Sequence, residues 1–311
     1  MKGIHINWTK PYTDKYNNKE YKMEQYALLV QLLSVLYWKK HYGEIVLYTD
    51  EEGLRYYKAC GIPILDLYDE IDIDTLEFTH EEINPSTFWA GGKLVAIQKE
   101  TCPFVMLDLD LFLTDNIEEE FIGKELVFSH FETLTLPVYP NPKDLFTGEQ
   151  NLPEYNWSLL PGNVSLTYFN NEEFKNRYTC ESIEYMRKLS QYDIDPSDQY
   201  NSRMVFAEQR LLTCIARDMN IKYEPLIKDI YNSSIKEVKY NGSDVNSGEE
   251  PSWFITGDKD NIDSFPIHHT WGYKSMLINR GLRILYTESI QKIIKKEFPE
   301  YEQYLKDPLN E

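Results

Sequence analysis

Phe104-Val105-Met106-Leu107-Asp108-Leu109-Asp110-Leu111-Phe112-Leu113 sets two carboxylates inside a run that is otherwise apolar and strand-like. Buried charge is costly without a partner, so carboxylates in this setting call for a cation or another counter-charge. Side chains at i and i+2 of an extended backbone share one side, so Asp108 and Asp110 are expected to converge on one ion if the backbone stays extended. The competing reading is a strand end at which both are solvated or cap the next turn.

Upstream of this run, residues 3–8 alternate as a first strand, followed by a polar loop over 9–21. Residues 23–38 form a helix that is apolar around nearly its whole circumference, which predicts burial between layers. Residues 45–50 read as a second strand ending in polar residues, 51–59 as a short helix, and 64–67 as a third strand after the turn at 61–63. The stretch 69–84 is acidic and irregular; 88–100 is a helix carrying Lys93, and the strand with the two aspartates follows Pro103. Alternation of strand and helix predicts an α/β fold with a mostly parallel central sheet flanked by helices. Sites in such sheets lie beyond the carboxyl ends of the strands, where Asp108 and Asp110 fall.

Downstream, 127–130 and 164–169 read as strands, while 172–189 and 205–219 read as helices. Residues 134–160, rich in proline and aromatics, predict a long ordered loop or lid. The polar stretch 239–252 predicts a mobile segment. One catalytic domain is expected over 1–280, with a C-terminal helical extension over 281–311.

A length of 311 residues permits a large core in one domain or two closely joined ones. A net charge of −19 disfavours nucleic acid and anionic lipid as general partners. It leaves room for an anionic substrate, because a bound cation and a few lysines reverse the field inside one cleft. Neither a cleavable leader pattern nor a membrane-length apolar run is present, so a cytoplasmic location without a membrane span is expected, peripheral association being left open. Cys60, Cys102, Cys180 and Cys214 are widely separated and lack metal-ligand spacing, which reads as four reduced thiols. The 24 tyrosines and six tryptophans supply aromatic surface suited to bases or sugar rings.

Two carboxylates make a thin metal site, and the natural place for a third ligand is His268-His269-Thr270-Trp271-Gly272-Tyr273-Lys274. Imidazole completes a cation's shell, glycine allows close backbone approach and lysine neutralises phosphate. A packed loop before the final helices is the plainer alternative.

With these two motifs in place, the chain resembles nucleotide-sugar-dependent glycosyltransferases of the GT-A fold. It is similar to the galactosyltransferase and glycogenin group and to uncharacterised bacterial relatives linked to polysaccharide synthesis. The resemblance covers roughly residues 1–280, its specificity resting chiefly on the two motifs. It implies a GT-A-like nucleotide-diphospho-sugar transferase fold in which Asp108, Asp110 and His269 ligate Mn2+ or Mg2+. By the same resemblance Lys93 helps to bind the donor and Lys274 binds its diphosphate. One residue separates Gly272 from Lys274 where the group commonly has two, and His268 stays a rival ligand. Gly162-Asn163-Val164-Ser165 resembles the turn entering the acceptor-side strand, in altered order. Glu208-Gln209 occupies the place of the cluster lining the reaction centre, against the reading of an exposed helical turn.

The implied activity is metal-dependent transfer of a sugar from a nucleotide sugar, UDP-linked by preference, to a saccharide or other hydroxyl acceptor. Asp110, Glu208 and Gln209 are the candidate catalytic residues. Trp8, Thr9 and Asp50, at the ends of the first two strands, are candidate base or ribose contacts by position. Two rivals remain: a non-catalytic nucleotide- or carbohydrate-binding protein, and a metal-dependent sugar-phosphate hydrolase.

Overall fold

A computed structural model of the protein describes residues 1–17, 19–146, 152–192, 194, 201–227, 266–270 and 274–308. Nine strands are described: β1 Lys2–Asn7, β2 Ile45–Thr49, β3 Glu70–Asp72, β4 Phe104–Leu107, β5 Leu111–Leu113, β6 Leu126–Phe128, β7 Leu166–Phe169, β8 Tyr223–Pro225 and β9 Ile267–His269. The described α-helices are α1 Lys10–Lys15, α2 Gln25–His41, α3 Glu51–Ala59, α4 Asp74–Glu77, α5 Thr79–Glu82, α6 Gly91–Lys99, α7 Glu172–Ser190, α8 Ser202–Val205, α9 Leu211–Asp218 and α10 Arg280–Glu297.

Seven strands form one sheet in the order β3-β2-β1-β4-β7-β6-β8. Parallel pairing joins β3 to β2, β2 to β1, β1 to β4 and β6 to β8, while β7 runs antiparallel to both β4 and β6. The expected α/β architecture, a mostly parallel sheet flanked by helices, is the one observed. From β1 the chain builds outward through β2 and β3, then returns to β4 on the other side of β1. The carboxyl ends of β1 and β4 therefore meet at a topological switch point, where such sheets open a crevice.

Period-two alternation divides the central strands between two cores. Ile45, Leu47, Val105 and Leu107 face the layer containing α2 and α10. Ile4, Ile6, Val46, Tyr48, Phe104 and Met106 face the layer of α6, α7 and α9. Coverage of both faces explains why β2 and β4 are apolar throughout rather than alternating with polar residues. Every residue of α2 from Leu28 to Trp38 is buried, because α10 packs on it from outside through Tyr286, Ile290 and Ile294. The all-round apolar pattern is thus that of a helix held between layers.

Three sequence expectations are corrected. Residues 64–67 form a 3-10 turn, Ile64–Leu67, and the third strand is the acidic Glu70–Asp72. An edge strand pairs through its backbone and leaves side chains in water, so apolar content does not mark it. Within the stretch read as irregular, α4 and α5 add two short helical turns. The strand bearing the aspartates stops at Leu107, and a turn in which Leu111 N donates to Asp108 O (3.1 Å) carries the chain into β5. The segment 239–252 lies outside the described residues, as do 147–151 of the 134–160 loop. All four cysteines are free, Cys214 buried and Cys180 exposed.

Candidate functional site

At the end of β4 the backbone leaves the large sheet and enters a small antiparallel one, in which β5 pairs with β9. The register sets His269 opposite Leu111, and Thr270 N donates to Asp110 O at 2.9 Å. This stitch brings a histidine nearly 160 residues distant in sequence beside the aspartate turn. Asp108, Asp110 and His269 each present a ligand atom, all within 4.8 Å of one another. The convergence comes from the turn, not from alternation along an extended strand.

Adjacent residues of β9 point to opposite faces. His269 faces Asp110, with Nε2 at 3.6 Å from Oδ1. His268 turns into the core, stacks on Phe112 and bonds through Nε2 to the Tyr286 hydroxyl at 2.6 Å. Burial pushes its pKa down to about 3. Of the two rivals, His269 is the one on the aspartate side.

Two lysines complete the charge balance. Lys93, from the first turn of α6, lies 2.6 Å from Asp108 Oδ1 and 3.1 Å from Glu208 Oε1. Burial works against its charge, but the two carboxylates outweigh burial and hold the ammonium above its ordinary pKa. Lys274 lies 2.7 Å from Asp110 Oδ2, and that carboxylate raises the lysine's pKa. For Asp110, burial is outweighed by Lys274 and His269, leaving it well below the usual carboxylate range. Asp108 Oδ1 and Asp110 Oδ2 are buried and each lies against a lysine ammonium, and a carboxylate offers further lone pairs that can serve a cation. Two carboxylates and an imidazole suit Mn2+ or Mg2+, which fill the rest of their shell with water or phosphate oxygen. Residues 271–273, between His269 and Lys274, lie outside the described residues.

Glu208 is buried and belongs to a single π-helical turn, Phe206–Arg210, between α8 and α9. A π turn displaces carbonyls from the regular helical ladder, and here α7 supplies replacement donors. The Tyr178 hydroxyl donates to Glu208 O at 2.6 Å, and Ser182 Oγ to Ala207 O at 2.8 Å. Burial raises the Glu208 pKa, Lys93 opposing it. Gln209 Oε1 accepts from the Tyr139 hydroxyl, and its side chain also hydrogen-bonds Glu208.

At the ends of β1 and β2, Asp50 accepts from Thr9 N and Thr9 Oγ1, both at 2.8 Å, and from Gly53 N at 2.9 Å. Its oxygens are thus committed to capping α3 and to joining the two strand ends. Trp8 packs against Gly92, where a Cβ would meet Trp8 Cβ at 2.7 Å, so that residue of α6 has to be glycine for the helix to approach β1. Trp8 Nε1 has no hydrogen-bond partner among the described residues.

The sequence reading passed over Glu132 and His130. Glu132 Oε1 accepts from Asn163 Nδ2 at 2.8 Å and contacts His130 Nε2 at 3.2 Å. Burial raises its pKa, but the His130 hydrogen bond and the nearby His269 outweigh burial and leave it lowered. The same rule that singled out Asp50, polar residues just past a strand end, applies to the residues following β6 and would have found them. Asn163 Oδ1 also accepts from Ser165 N (3.0 Å), while Ser165 O accepts from Asp108 N (2.7 Å), which ties this cluster to the aspartate turn.

These features define an α/β protein with a candidate metal centre at the switch point of its sheet. The chain belongs to a family of unknown function, DUF6734, whose family model matches residues 1–260. No curated protein matches it. Among solved structures it is similar to the galactosyltransferase LgtC in complex with donor and acceptor sugar analogues, at 10% identity and a TM-score of 0.39, covering 68% of this chain and 71% of that one. It is likewise similar to mouse xyloside xylosyltransferase 1, at 11% identity and a TM-score of 0.38, covering 73% and 85%. A third similar structure is the PaToxG glycosyltransferase, at 8% identity and a TM-score of 0.38, covering 70% and 69%.

Proposed function

We propose that the protein is a metal-dependent glycosyltransferase of GT-A type, moving a sugar from a nucleotide-sugar donor to a saccharide or other hydroxyl acceptor. The observation that carries this reading is the convergence of Asp108, Asp110 and His269 between two lysines at the carboxyl ends of the central strands. That set suits a diphosphate held through a divalent cation.

In this reading Asp108, Asp110 and His269 hold Mn2+ or Mg2+. The bound ion would stabilise negative charge on the nucleoside-diphosphate leaving group. Lys274 adds a positive charge to the same diphosphate, and Lys93 orients the donor while holding Glu208 in place. Glu208 and Gln209 line the reaction centre. Thr9 and Trp8 receive the base or ribose, with Asp50 fixing Thr9 from behind. UDP-sugars are the preferred donors, surface polysaccharide or glycoconjugate synthesis the setting and the cytoplasm the compartment. No described helix is long and apolar enough to cross a membrane.

A thermal-shift panel of UDP, GDP, CMP and their sugars, with and without Mn2+, tests the reading. One nucleotide should stabilise the fold only when metal is present, by about 2.7 kcal/mol at a hundredfold excess over its Kd. Asp110→Asn should abolish that shift and turnover while the protein stays folded; normal turnover in this variant would sink the assignment. A time course of donor hydrolysis and of transfer to acceptors separates an enzyme from a binding module.

A further inference from the structure

Arg210 is buried, with 4% of its surface exposed, at the end of the π turn that carries Glu208. A guanidinium withdrawn from water normally meets a carboxylate, but this one meets backbone carbonyls. Its NH1 donates to Pro140 O at 3.0 Å and its NH2 to Trp157 O at 2.6 Å. The guanidinium also sits 5.6 Å from the centroid of the Trp157 ring. Nε has no partner among the described residues, so the arrangement carries a desolvation cost that an apolar side chain would avoid. What arginine adds is a planar fork that joins two carbonyls on separate pieces of chain.

Those two pieces are the opposite limbs of the connection between β6 and β7. Neighbouring contacts fasten the same limbs to the same helical segment: Tyr139 to Gln209, Ser202 Oγ to Pro137 O at 2.9 Å, and Thr213 Oγ1 to Leu160 O at 2.9 Å. At the base of the connection Glu132 N donates to Pro161 O at 2.8 Å. Glu208 therefore reaches toward Lys93 and Asp108, Gln209 links Glu208 to Tyr139, and Arg210 reaches both limbs.

We propose that Arg210 is a positioning residue that clamps the two limbs of the aromatic loop onto the π turn, so that the loop wall and the Glu208–Lys93–Asp108 cluster move as one body. The clamp keeps water from the sugar carbon during transfer. This consequence rests on the glycosyltransferase reading; the mechanical coupling does not.

The test compares Arg210→Met, Arg210→Lys and Tyr139→Phe with the parent protein in three measurements. These are amide exchange over 133–146 and 152–160, the Mn2+-dependent shift with UDP, and the partition of a UDP-sugar between hydrolysis and transfer. Arg210→Met should speed loop exchange about tenfold and keep the metal-dependent shift. Its transfer kcat should fall about tenfold with donor KM little changed, and the hydrolysed fraction should rise. Arg210→Lys should recover part of each effect, and Tyr139→Phe should move all of them in the same direction by less. Unchanged exchange and partition in Arg210→Met would overturn the proposal; if that variant does not fold, unchanged values in both Arg210→Lys and Tyr139→Phe would do so. Faster loop exchange in a protein whose parent form turns over no donor would uphold the clamp and reject the transferase reading.

Discussion

Lys93 holds two carboxylates from different elements, Asp108 beyond β4 and Glu208 in the π turn. Removing its charge leaves the two acids facing each other without a counter-ion. Lys93→Met should therefore destabilise the protein by about 3 kcal/mol. The Lys93→Met/Glu208→Gln double variant should recover part of that loss, because one of the stranded charges is gone. Urea denaturation of these two variants and of Glu208→Gln alone closes the cycle, and strict additivity would show that the contacts do not act as a unit. Lys93 was legible in the sequence only through the family resemblance, which places a basic residue on the helix before the aspartates. Its bond to Glu208 was not, since 115 residues separate the two and neither lies in a shared motif.

Among the elements, the π turn links most parts of the site. Read as one helix over 205–219, this segment instead changes hand-hold midway, and the widened turn depends on donors from α7. Tyr178→Phe should leave Glu208 O buried without its hydroxyl donor, costing about 1–2 kcal/mol in urea denaturation. If Tyr178→Phe matches the parent in midpoint, the hydroxyl does not support the turn. Helical periodicity cannot reveal such a turn, because one inserted residue hardly disturbs an apolar pattern over three turns. The short strand β9 is similar: nothing in Ile267-His268-His269 marks a strand until β5 offers its edge. Conversely, the long apolar runs of β2 and β4 and the all-round apolar α2 were legible, since complete burial leaves a compositional mark.

At the scale of the molecule, two cores share one sheet, and a buried polar chain fixes α2 against it. His5 of β1 bonds through Nδ1 to the Tyr68 hydroxyl at 2.8 Å and through Nε2 to Ser34 Oγ at 3.0 Å. Gln31 bridges Tyr68 and Tyr57, whose hydroxyl accepts from Asn7 Nδ2 at the far end of β1. Burial pushes the His5 pKa down to about 3, whereas in the unfolded chain it lies near 6.5. Between those values the unfolded state binds the additional proton, so stability is full above pH 6.5 and declines as pH falls toward 3. The slope due to His5 should approach about 1.4 kcal/mol per pH unit well below 6.5. His5→Gln should remove that share of the acid sensitivity measured by denaturation at pH 7 and pH 5; an unchanged difference between the two pH values would mean that His5 is protonated in the fold.

The sequence by itself determined the layered α/β class, the burial of α2 and the aspartate pair in its apolar run, because each rests on local composition or spacing, while Lys93 and the choice between His268 and His269 did not follow from spacing alone. Tertiary structure alone decided that the aspartates converge through a turn, that His269 rather than His268 faces them, and that Arg210 joins the π turn to both limbs of the loop. The reason is physical. Burial and periodicity write themselves into consecutive residues, whereas a site assembled from chain segments 50 to 160 residues apart exists only once strand pairing and packing have brought them within bonding distance.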